Sequence, residues 1–269
     1  MPEEFLPFSK PSISQEAIDE VIACLKSGWI TTGPRVQQFT AALNDYFNAP
    51  FVLPLMSATA GLHLSLIAMG IQPGDEVITT PLTFVATINT IVLAGGKPVL
   101  VDIDPSTLNM DVSEIERAIT PQTKAILPVH FAGLPVDLDE VYEVANRYQV
   151  RVLEDAAHAI GAEYQHRRIG CFGDTQVFSF HPNKNMTTGE GGCVVTRDPK
   201  IAEQIARLRF HGMDRPSWNR YAKLGSQDFE VVVPGYKANM MDIQAALGIH
   251  QLNDLESFIN RRKVLANRY

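Results

Sequence analysis

A chain of 269 residues, 45% hydrophobic and 20% charged, can form one large α/β domain, or one domain and part of a second. A formal net charge of −7, with no basic cluster longer than Arg261-Arg262-Lys263, argues against a nucleic-acid partner. Three scattered cysteines (Cys24, Cys171, Cys193) without metal spacing, no signal-peptide pattern and no membrane-length apolar window point to a cytoplasmic protein with free thiols.

Taken in order, Ser14 opens a helix with Ile18, Val21, Ile22 and Leu25 on one face, ending near Gly28. The loop SGWITTGP follows. It is either a packed connector around Trp29 or the mouth of a pocket, offering Trp29, Thr31 and Thr32 to a substrate. A second helix is predicted over Val36–Phe47. From Phe51 strands and helices alternate. FVLPL is a strand, SATAGLHL opens a helix, and EVITT, KPVLVDI, AILPV, RVLED, TQVFSF and GCVVT are further strands. Ser113 and Glu116 have the spacing of a capping box, and Asp137–Tyr148 is an amphipathic helix. Continuous apolar strands in β-then-α alternation predict a three-layer α/β fold, its mostly parallel sheet of about seven strands covered by helices on both faces. Ile243, Leu247, Leu252, Leu255 and Ile259 predict one long helix or two in succession at the end of the chain.

Candidate chemistry falls where strands end. In SATAG (Ser57, Ala58, Thr59, Ala60, Gly61) small residues at a helix start suit a phosphate, although Ser and Thr are also common N-caps. Asp155 ends the strand RVLED, where a carboxylate can pair with a protonated ring nitrogen, cap a turn or bind a metal. His158 lies three residues on. The stretch TQVFSFHPNKNMTTGEGGCVV carries Ser179 and a lone Lys184 between two strands, with a Gly-rich exit. A lysine so placed can form a Schiff base if it is desolvated enough to lose its proton. Taken alone, such a residue is more often a solvated surface lysine in a turn. Phe84, after EVITT, could stack on a ring or simply fill core. Phosphate turn, aromatic, strand-end acid and lysine, in that order, are what pyridoxal 5'-phosphate requires. No metal site is expected. Neither GxxxxGK[ST] nor GxGxxG occurs, which removes a nucleotide-binding P-loop or dinucleotide fold.

With those residues in hand, the chain resembles the DegT-type sugar-nucleotide aminotransferases, which are fold-type-I pyridoxal-phosphate enzymes. The likeness runs through FLPFSKP, SGWITTGP, SATAGLHL, GDEVIT, VDID, PVHFAG, EDAAHAIGA, FSFHPNKNMTTGEGG, FHGMDR and PGYKANMMDIQAALG, which together span essentially the whole chain. Within the family it most resembles the UDP-4-amino-4-deoxy-L-arabinose aminotransferase branch, which modifies lipid A sugars. The resemblance implies that Lys184 binds the cofactor covalently and shuttles a proton. It implies that Asp155 pairs with the pyridine nitrogen, His158 lies near the ring hydroxyl and Phe84 stacks on the ring. Ser179 and Ser57, Ala58 and Thr59 would hold the phosphate. It further implies a homodimer with shared active sites, in which a Gly-x-Asn segment reaches the partner's phosphate. Here that segment reads Gly235-Tyr236-Lys237, so Lys237, or Asn239 two residues later, would take the part.

The implied organisation is an N-terminal segment with a substrate-side loop (1–35), a cofactor-binding large domain (36–240) and a helix (241–269) leading towards a small C-terminal domain. Family members continue for about a hundred residues more, roughly one small domain, so most of that domain is expected to be missing. The implied reaction transfers an amino group, from glutamate as the expected donor, to a keto group of a nucleotide-linked sugar for lipopolysaccharide or other surface polysaccharide. One rival is a non-catalytic cofactor-binding remnant or interaction subunit, suggested by the early stop. A second is a sugar dehydratase of the same family. Those relatives carry histidine in place of the lysine, and His181 is not at the aligned position, so Lys184 argues against it.

Overall fold

Ser14 caps the first helix, α1 (Gln15–Ser27), by accepting from the Ala17 amide, and Gly28 closes it in the left-handed conformation that glycine favours. The computed structural model describes residues 5, 7–214 and 230–269. Leu6 of the FLPFSKP match and Arg215 of FHGMDR lie outside the described residues. The second helix, α2 (Pro34–Phe47), begins two residues before the predicted start, because Pro34 occupies the first turn, where no backbone donor is needed.

Seven strands form the main sheet: β1 (Phe51–Leu55), β2 (Glu76–Thr79), β3 (Lys97–Leu100), β4 (Thr123–Ile126), β5 (Arg151–Asp155), β8 (Thr175–Ser179) and β9 (Gly192–Thr196). A two-stranded hairpin of β6 (Glu163–Tyr164) and β7 (Arg167–Arg168) lies apart from it. The sequence reading did not include this hairpin. Its turn uses Gln165 and His166, both at positive φ, rather than the glycine or asparagine that would have signalled it. The sheet order is β1-β9-β8-β5-β4-β2-β3, and only β9 runs against its neighbours. The predicted mostly parallel, seven-stranded, three-layer architecture is therefore what the chain adopts.

Two apolar layers cover the sheet. On one face, α2, α6 (Leu138–Tyr148) and α8 (Asp242–Ala266) pack over residues such as Phe39, Phe178, Val152 and Leu255. On the other, α3 (Ala58–Ala68), α4 (Val85–Leu93) and α7 (Pro199–Leu208) pack over Leu62, Ile91, Val177 and Ile205. Successive strand residues serve opposite layers, Phe178 one and Val177 the other, because side chains alternate across a strand. The end of the chain is one helix, α8, not two, and it packs along α1 and α2.

The predicted capping box at Ser113 and Glu116 does not form. Asp111 is the cap instead, accepting from both the amide and the hydroxyl of Ser113, and a 3₁₀ turn precedes the four-residue α5 (Ile115–Ala118). Glu116 turns away to Arg147 and the Tyr148 hydroxyl. A carboxylate two residues upstream accepts more strongly than a serine hydroxyl, so it takes the cap. No described helix is long and apolar enough to cross a membrane.

Candidate active site

All the parallel strands end on the same side, where ligands bind in open α/β sheets. At that edge lies a cavity of about 580 Å³. Ser57, Ala58 and Thr59 line it after β1, Phe84 after β2, Asp155 and His158 at and after β5, and Ser179 and Lys184 at and after β8. Eight of the predicted site residues are thus brought together within one chain.

The phosphate end is built by close packing. Ser57 caps α3, its hydroxyl accepting from the Ala60 amide, while the amides of Ala58 and Thr59 have no partner among the described residues. Gly61 and Gly192 permit this placement. A Cβ on Gly61 would stand 2.7 Å from Val177, and one on Gly192 would stand 2.6 Å from the Ala58 nitrogen. Either would push the helix start away from the sheet. Two open amides at the positive end of an eleven-residue helix suit a phosphate.

The acid is held as firmly. Asp155 is 5% exposed. One carboxylate oxygen accepts from the Thr87 hydroxyl at 2.7 Å, and the other from the Ala157 amide at 3.1 Å. A hydrogen bond to a charged group contributes about 1.5–3 kcal/mol, so Thr87 fixes this side chain. The Thr83 hydroxyl lies 2.7 Å from that of Thr87. Since Thr87 donates to the carboxylate, Thr83 must be the donor to Thr87. The preceding acid, Glu154, points to the opposite face of the sheet, where His130, Tyr142 and Gln176 bond it. Strand alternation thus separates two adjacent carboxylates, and only Asp155 reaches the cavity.

Lys184 is half-buried, and its ammonium has no hydrogen-bond partner among the described residues. Burial lowers its pKa, and the nearby Asp155 charge partly offsets this. His158 is also shifted down, first by burial and then by Lys184, with Asp155 opposing. These couplings place the three groups within electrostatic reach of one another. An acceptor-only carboxylate, an amine with lowered pKa and open helix amides are a donor set that fits pyridoxal phosphate. Phe84 is 72% exposed and lines the cavity, so it is not the core phenylalanine that burial statistics favour.

Five other predicted residues do not line this cavity. Trp29 folds onto its own loop, its indole donating to the Thr32 carbonyl and lying over Gly33. The Thr31 carbonyl accepts from the Asp242 amide, which starts α8. Thr32 donates to the Met240 carbonyl and accepts from Asn239, whose carbonyl oxygen takes the Lys237 ammonium. Lys237 also lies over the Phe210 ring at 4.2 Å. This cluster runs beside the end of β1, where Asn239 bridges Leu55 and Ala238 accepts from Met56. It borders the phosphate turn from outside the cavity. The sequence reading missed Thr87. A threonine near the start of α4, one turn after Thr83, was the available signal.

The sequence pattern of the DegT/DnrJ/EryC1/StrS aminotransferase family matches residues 11–269. Protein MJ1066 of Methanocaldococcus jannaschii is 53% identical over 267 residues, which are 99% of this chain and 69% of that protein. The spore coat polysaccharide biosynthesis protein SpsC of Bacillus subtilis is 50% identical over 265 residues, 98% of this chain and 68% of its own. Among solved structures, the PMP form of Spr1654 from Streptococcus pneumoniae superposes with a TM-score of 0.92 at 37% identity, covering 98% of this chain and 71% of that one; a PLP form of the same protein matches with a TM-score of 0.91. Helicobacter pylori PseC, an aminotransferase involved in the biosynthesis of pseudoaminic acid, gives 0.86 at 33% identity, covering 94% of this chain and 66% of that one.

Proposed function

Since this chain belongs to the DegT/DnrJ/EryC1/StrS aminotransferase family, whose cofactor is pyridoxal phosphate, we propose that it transfers an amino group from glutamate to a keto group on a nucleotide-linked sugar. The observation that carries this reading is the meeting of Lys184, Asp155 and the open start of α3 in one cavity. When bound, the cofactor supplies an electron sink through which the amino group passes between two substrates. Lys184 would hold the cofactor covalently and would move a proton at the substrate carbon, which its lowered pKa favours. Asp155, fixed by Thr87, would keep a proton on the pyridine nitrogen. Phe84 would cover one ring face, His158 would lie towards the ring hydroxyl, and Ser179 and Ser57–Thr59 would hold the phosphate, since all of them line the cavity.

We propose in addition a cytoplasmic homodimer in which the Lys237–Asn239 cluster of one protomer completes the phosphate site of the other. Its position beside β1, bordering the phosphate turn but outside the cavity, supports that role. Trp29, Thr31 and Thr32 border the same cluster and would face substrate from there. Residues 36–240 then form the cofactor domain, with 1–35 and the helix within 241–269 flanking it. The likeness to SpsC supports a surface-polysaccharide product.

The test is a visible absorption spectrum of the protein with pyridoxal phosphate, before and after glutamate and then a nucleotide-linked keto-sugar. A cofactor band that glutamate removes and the keto-sugar restores supports the reading. A band indifferent to glutamate but removed by another amino acid would change the donor. A band unmoved by any amino acid would sink the transaminase assignment.

A further inference from the structure

The loop that carries Lys184 is only partly seated on packed core: Met186 is buried in it, but Asn183, Lys184 and Asn185 are not. Behind it lies a second cavity of about 400 Å³, bounded by Lys10 and Pro11 of the N-terminal segment, by Asn183 and Asn185 of the loop and by Phe258 and Arg261 of α8. Where a loop has open space behind it, specific hydrogen bonds add to what packing supplies. Besides the bond from the Asn185 side-chain amide to the Ile160 carbonyl, three ties from the N-terminal segment and α8 bracket Lys184. The Ser9 hydroxyl donates to the Pro182 carbonyl at 2.9 Å. Arg262 donates to the carbonyls of Lys184 and Asn185 at 3.3 and 3.2 Å. The Gln251 carbonyl oxygen accepts from the Thr187 amide at 3.1 Å.

These ties are unequal. The Ser9 and Arg262 bonds are solvent-exposed, so water competes for them. Gln251 is 2% exposed, and both ends of its amide are used: its nitrogen donates to the Ser12 carbonyl at 2.7 Å. Thr187 in turn donates to the Phe180 carbonyl and accepts from the Gly189 amide, so its position sets both arms of the loop. One buried side chain from the middle of α8 thereby joins the N-terminal segment to the lysine loop.

We propose that Gln251 is a positioning residue for Lys184, and that it makes cofactor attachment and the order of residues 9–12 mutually dependent. Whatever steadies the loop steadies the segment, and by linkage a loosened segment weakens cofactor binding by the same factor. The proposal rests on the assignment of Lys184 as the attachment site.

Amide hydrogen exchange on the full chain, with and without pyridoxal phosphate, tests it. In the wild type the cofactor slows exchange at Thr187 and at Ser9, Lys10 and Ser12. Gln251→Met has similar size but no polar atoms. It should speed Thr187 exchange and weaken cofactor affinity about tenfold, the scale of one or two lost hydrogen bonds, and abolish the cofactor-dependent slowing at residues 9–12. Gln251→Glu keeps the acceptor for Thr187 but loses the amide donor, so Thr187 should stay protected while residues 9–12 are released. This variant decides the matter if Gln251→Met does not fold. Unchanged Thr187 exchange and unchanged slowing at residues 9–12 in these variants would overturn the proposal. So would a uniform rise in exchange across the sheet and α8, the mark of a purely structural role. Borohydride reduction and peptide mapping of the wild type judge the Lys184 assignment separately. If the cofactor is elsewhere, the Thr187 and Ser12 exchange without cofactor still reads the clamp.

Discussion

The cavity group and the Thr32–Lys237–Asn239 cluster are neighbours along β1, yet they are built on opposite terms. In the cavity, the polar groups are held by their flanks and left open at their tips. Asp155 is fixed by Thr87 and Ala157, α3 by the glycines beneath it, and the Lys184 ammonium has no partner among the described residues. In the cluster, the tips bond one another: Lys237 to Asn239, Asn239 to Thr32, and Thr32 to the Met240 carbonyl. The first arrangement is prepared for a ligand. The second is a satisfied surface network that must give up internal bonds before it contacts anything else.

The largest expected effect breaks the first arrangement. Lys184→Ala should abolish borohydride-stable cofactor attachment and reduce amino transfer by about 10³-fold or more, measured by mass spectrometry and a coupled assay. The same attachment in the alanine variant would move the role to another residue.

A sharper test uses Asp155→Asn in cofactor-free protein. The Asp155 charge raises the Lys184 pKa against burial, so removing it leaves burial unopposed. Lys184 should then titrate still further below its ordinary value of 10.5, followed by NMR of labelled lysine or by the pH dependence of acylation. An upward movement would mean that the two groups are not coupled as their placement implies.

The smallest effect is expected at the cluster. Asn239→Ala should weaken cofactor affinity about tenfold in a dimer, as for a lost hydrogen bond to a charged phosphate. In protein diluted to monomer it should change nothing. Equal weakening in both states would place the cluster in the site of its own chain and dissolve the distinction between the two regions.

The sequence by itself determined the sheet, its covering helices and the order of the chemical groups along the strand ends. Continuous apolar runs and period-3.6 apolar patterns, Ser14, Gly28 and the small residues of SATAG act locally, so they are legible without coordinates. The strand-end position pointed to Asp155, and tertiary structure added that Glu154 is turned to the opposite face and bonded by His130, Tyr142 and Gln176. Tertiary structure decided that Thr87 fixes Asp155 and that Gln251 reaches Thr187, contacts between residues distant in sequence. It also decided that Trp29, Thr31, Thr32, Lys237 and Asn239 lie outside the cavity. Their motifs state that these residues matter together, but direction in space comes from how the end of β1 and the start of α8 pack, and no local pattern encodes that.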